Sequence, residues 1–111
     1  MRLKLILALV LGCIPIPNVV LAKDRNWQDV EATFDVKDNL VNDSIITWKS
    51  TDNVQKTCEE ESKRRGLGGF KYEVEACSFW SGGICMVITS KKPTMHILGH
   101  EIRHCFQGNF H

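Results

Sequence analysis

Cys58, Cys77, Cys85 and Cys105 fall in the second half of the chain, and their redox state decides what else the sequence can fold into. In a reducing compartment such thiols stay free or bind metal, whereas an even set in an exported chain pairs off and staples a small domain. The first residues decide between these. Met1-Arg2-Leu3-Lys4 is a short basic start, Leu5 to Gly12 is an unbroken apolar run, and Val20-Leu21-Ala22 offers a cleavage site ahead of Lys23. Residues 1–22 therefore read as a signal peptide and 23–111 as one domain of 89 residues, secreted or periplasmic.

A lipid anchor at Cys13 is the weaker alternative, because Leu11 fits such a processing site poorly. Pro15, Pro17 and Asn18 break the apolar stretch, and no later segment approaches the ~20 apolar residues of a span. No stable membrane span is expected after cleavage. With Cys13 discarded, the remaining four cysteines allow two disulfides in three connectivities. The pairs expected are Cys77 with Cys85, flanking a turn, and Cys58 with Cys105, joining two helices. A four-cysteine zinc site would need paired short spacings that these residues lack.

Arg2 and Lys4 belong to the leader, which leaves 12 basic against 13 acidic residues and a formal charge of −1. Nucleic acid is not an expected partner. In Glu59-Glu60-Glu61-Ser62-Lys63-Arg64-Arg65 the acids precede the bases, as the dipole of a solvated helix end favours.

The pattern predicts an α+β domain. Val30, Ala32, Phe34 and Val36 alternate with polar residues and suggest a strand; Ser44-Ile45-Ile46-Thr47-Trp48, β-branched and aromatic, suggests a second. Thr51 or Asp52 can cap a helix running through Val54, Cys58 and Arg65, which Gly66, Gly68 and Gly69 end. Phe70 to Trp80 alternates, Ser81-Gly82-Gly83 turns, and Ile84 to Thr89 completes a hairpin. Thr94 caps a last helix that Gly108 closes. A mixed or antiparallel sheet with a backing helix and a C-terminal active-site helix follows.

That last helix carries His100-Glu101-Ile102-Arg103-His104, an H-E-x-x-H pattern. Residues four apart lie one turn apart on one side, so two imidazoles can hold one zinc, while Glu101 lies close enough to take a proton from a metal-activated water without binding the ion. At about 100° per residue, His96, His100, His104 and Glu101 share one arc and Leu98, Ile102, Cys105 and Phe106 the opposite one. A third ligand is needed, and His111 is the candidate: Gly108 can break the helix at positive φ and turn the tail back.

These residues resemble the zincin metallopeptidases, and the third histidine resembles the metzincin branch, whose motif is H-E-x-x-H-x-x-G-x-x-H. The spacing from Gly108 to His111 matches, while Cys105-Phe106-Gln107 puts three residues before the glycine where that family has two. No Met-turn follows the motif, since Met86 and Met95 both precede it. The resemblance implies a minimal zincin-like domain that binds one zinc per chain and hydrolyses peptide or protein substrates, Glu101 activating water and then protonating the leaving amine. An extended substrate is expected beside a sheet edge, at Ile84 to Thr89. His96, Tyr72 and Arg103 are the candidates for stabilising a transition-state oxyanion; Trp27, Trp48 and Trp80 read as core or edge aromatics. The alternative class is a non-catalytic secreted binding module that zinc and disulfides only stabilise.

Overall fold

The computed structural model describes residues 29–111, so the leader expected at 1–22, the alternative at Cys13 and Trp27 lie outside the described residues. Strand β1 covers Ile45–Ser50, helix α1 Val54–Arg64, strand β2 Cys77–Ser81, strand β3 Ile84–Thr89 and helix α2 Met95–Gln107. Each element starts and stops for a local reason. The cap of α1 is Asn53, whose side chain accepts from Lys56 N; the expected caps are displaced because Thr51 Oγ1 is already engaged by Asn53 N and by the Thr57 hydroxyl. Thr94 caps α2 as expected, accepting from Ile97 N. Gly82, at φ 63°, makes the two-residue turn between β2 and β3.

The three strands form one mixed sheet in the order β1-β3-β2, with β1 parallel and β2 antiparallel to β3. Because side chains alternate across a strand, β3 serves two cores. Met86 and Ile88 point to one face, where they join Cys77 and Phe79 of β2 and Val54 and Cys58 of α1. Cys85 and Val87 point to the other, against Leu98, Ile102, Cys105 and Phe106 of α2. One helix therefore covers each face of the sheet. The expected α+β class with a mixed sheet and two helices is what forms.

All four expected cysteines are bridged, but the partners differ from those expected: Cys58 bonds Cys77 and Cys85 bonds Cys105. Hairpin register explains the correction. Cys77 lies opposite Ile88, an odd three residues from Cys85, so the two sulfurs emerge on opposite faces of the sheet. Cys58 and Cys105 are likewise separated by the sheet. Each bond instead staples one helix to the strand beneath it.

Two expected strand segments do not form. Over 30–36 the Asp29 and Asp35 side chains accept from the N–H two residues on, at Glu31 and Lys37, and fold the backbone into a turn and a short 3₁₀ segment, Val36–Asp38. Val30 and Val36 are exposed there instead of lying on a core face. Over 70–76 the backbone is bonded by α1 in place of a neighbouring strand: Phe70 N donates to Glu59 Oε1, Val74 N donates to Gln55 Oε1, and Tyr72 O accepts from Gln55 Nε2. A third correction concerns Ile84 to Thr89. As the central strand it is paired on both sides, so it has no edge to offer a substrate.

At the end of α1 the Glu61 carboxylate is clamped by Arg64 and Arg65, which hold it below the ordinary carboxylate range despite its burial. No described helix is long and apolar enough to cross a membrane. The bridges span 19 and 20 residues, so the paired replacement Cys58→Ala/Cys77→Ala should lower the unfolding free energy by about 3 kcal/mol, read by denaturant titration. Peptide mapping without reduction should recover Cys58–Cys77 and Cys85–Cys105 and neither alternative pairing.

Candidate metal centre

Helix α2 presents His100 and His104 one turn apart, and the chain after Gly108 brings His111 to them. One ligating atom from each of these three residues lies within 4.8 Å of the other two. Around a tetrahedral zinc, nitrogens about 2.0–2.1 Å from the ion sit about 3.3 Å from one another, so closing on an ion asks side-chain shifts of about 1 Å. The donor set suits zinc and other borderline transition metals. The three histidines named from the sequence are thus gathered, with His104 buried, His100 half-buried and His111 exposed.

What aims His104 is the turn that ends the helix. Gly108 N caps His104 O, and the Gly108 carbonyl accepts from Phe110 N at 3.0 Å and from His104 Nδ1 at 2.6 Å. A carbonyl can only accept, so Nδ1 carries a proton, and Nε2 is the nitrogen that could ligate an ion. Such a backbone bond to the distal ring nitrogen is the usual way a ligating histidine is oriented. Gly108 is at φ 68° and ψ −139°, a region that side chains strain to enter, and a Cβ there would sit 3.1 Å from Leu40 Cδ1.

Glu101 is buried on the same helix, its Oε2 4.0 Å from His100 Nε2. Ser78 Oγ of β2 lies 2.5 Å from Glu101 Oε1 and 2.8 Å from the Glu101 backbone carbonyl. Burial pushes the Glu101 carboxyl above the usual range, and the Ser78 hydroxyl pulls it partway back. The carboxyl is therefore fixed on one oxygen and turned toward the imidazoles with the other.

The other candidates divide. His96 lies one turn before His100, its ring 6.5 Å away and tilted. Tyr72 is a correction: its ring packs edge-on against Phe70, which belongs to the core on the α1 face, so the sheet separates it from the histidines. Arg103 adjoins the site without facing the ligands, because its guanidinium lies 3.9 Å from the Phe110 ring centroid and its Nε donates to Gln107 Oε1. Ser78, Phe110 and the role of Trp80 were missed by sequence reasoning. Trp80 stacks on His104, centroids 5.2 Å apart and planes within 3°. Hairpin register supplies the signal: Ser78 and Trp80 alternate with Cys77 and Phe79, so once Cys77 is assigned to α1 they must face α2.

Compared with known proteins, the chain matches no family model, no curated protein and no solved structure. The site rests on its own geometry. Gly108→Ala should destabilise the fold by about 1–3 kcal/mol through its φ and the contact with Leu40, measured by thermal or denaturant unfolding. A variant as stable as the parent would contradict the role given to this turn.

Proposed function

We propose that this chain is an exported zinc-dependent peptidase with His100, His104 and His111 as ligands and Glu101 as the proton-transfer group. The observation that carries the reading is the convergence of three histidines with one buried carboxyl whose Oε2 lies 4.0 Å from His100 Nε2. Bound at the histidines, zinc would supply Lewis acidity toward a peptide carbonyl and toward water. Glu101 Oε2 is the basic atom on the histidine side; it takes the proton of the attacking water and passes it to the leaving amine nitrogen. Ser78 anchors Oε1 so that this oxygen does not rotate into the ligands' place.

The sheet offers an edge for an extended substrate at β2. Among the described strands β2 pairs only with β3, and its Ser78 and Trp80 touch Glu101 and His104. A peptide added along that edge would lie beside the site, with main-chain hydrogen bonds for affinity.

One observation favours a second reading, the non-catalytic binding module. His104 and Glu101 are each only 7% exposed, which is the enclosure expected of a metal that holds a fold together.

Glu101→Gln separates the two. In the peptidase reading the variant keeps its zinc and its unfolding midpoint but loses peptide hydrolysis by about 10²–10⁴-fold, followed with a mixed fluorogenic peptide library. Undiminished hydrolysis in the variant would remove Glu101 from the mechanism. Zinc-loaded parent protein that cleaves nothing in the library would favour the binding module.

A further inference from the structure

His104 is held by more than its hydrogen bond to Gly108. One face of its ring meets Trp80 at 5.2 Å between centroids and the Phe110 ring lies 4.4 Å away, tilted by 36°. The Arg103 guanidinium carbon sits 3.9 Å from the Phe110 centroid and 5.1 Å from that of Phe34. These contacts form one column in the order Phe34, Arg103, Phe110, His104, Trp80. It draws on the segment before β1, on β2, on α2 and on the tail.

The ends of the column are anchored independently. Trp80 is fixed by the hairpin register opposite Cys85, which is itself bonded to Cys105, the neighbour of His104. At the other end Arg103 Nε donates to Gln107 Oε1, while Gln107 Nε2 donates to Asp35 O and Asn39 Oδ1. Phe34 is thereby tied to the last turn of α2. A cation over an aromatic face and an aromatic pair are each worth most when geometry is imposed from outside, as it is here.

We propose that this column is a positioning device for the metal ligand His104: Trp80 and Phe110 fix the plane of its imidazole, and Arg103 acts through Phe110. The inference rests on the metal-site reading above and adds the residues that set its affinity. Two of the ring's rotations matter to a ligand. The Gly108 bond fixes which nitrogen faces the cluster, and the column fixes the tilt of the ring about that bond. An imidazole so held keeps its Nε2 lone pair on one line, so little side-chain freedom remains to be lost when an ion binds. Arg103 also sets a fixed positive charge behind Phe110, not among the ligands, where it would oppose a dication.

The test uses the full chain, untagged and with both disulfides formed, with zinc affinity measured by competition against a chromophoric chelator. Trp80→Ala should weaken zinc about 10- to 100-fold, the range for partners of metal ligands, with Trp80→Phe restoring most of it and Arg103→Ala weakening it by about tenfold. The unfolding midpoints of Trp80→Phe and Arg103→Ala show whether the fold is retained. Cobalt(II) in place of zinc reads ligand geometry, and its visible bands should shift and broaden in Arg103→Ala, which a purely structural surface arginine would not cause. Unchanged affinity and bands in Trp80→Ala and Arg103→Ala would overturn the proposal. If the parent binds no metal, the metal-site reading fails by itself and the column is judged on His104 ring proton shifts in the metal-free protein. Upfield shifts that collapse in Trp80→Ala support ring positioning; shifts at the unstructured value overturn it.

Discussion

Cys105 and His104 are neighbours on one helix, and the bond from Cys105 to Cys85 fixes how that helix is rotated over the sheet. Each residue along an α-helix turns by about 100°, so one covalent attachment on one side settles where every other side chain points. With Cys105, Leu98 and Ile102 in the core against β3, His104 comes to stack on Trp80 of β2 and Glu101 comes down beside Ser78. The second bond does the same for α1 on the opposite face. In a chain with so little core, two covalent points do what a larger protein achieves by packing area.

The candidate metal centre then depends on close control of a few polar atoms. Gly108 is the residue on which this control converges: it ends α2, supplies the acceptor for His104 Nδ1 and redirects the chain so that His111 returns. Glu101 is under the opposite kind of control, with burial raising its proton affinity and one hydroxyl moderating it. The aromatic column through His104 extends the same logic into side chains that carry no metal-binding chemistry.

The parts of this arrangement that sequence makes legible are those governed by neighbours in the chain. The H-E-x-x-H spacing, the Thr94 cap, the helix-breaking Gly108 and the hairpin at Gly82-Gly83 are local, and each lies where its pattern implies. What sequence does not show is which face of the sheet each helix covers. That unknown produced the wrong cysteine partners, put Tyr72 with the histidines, and hid Ser78 and Trp80. The alternation at 30–36 misled for another reason, since Asp29 and Asp35 bind their own backbone more readily than an edge strand could. Likewise Gln55 and Glu59 satisfy the 70–74 backbone from α1, a side-chain arrangement with no period to detect.

The most direct measurement is metal content by mass spectrometry of the untagged, oxidatively folded chain, compared with the His104→Ala variant. The account predicts one zinc per chain in the parent and a loss of stoichiometric zinc in the variant. Parent protein with both disulfides and a cooperative unfolding transition but no bound zinc would contradict it.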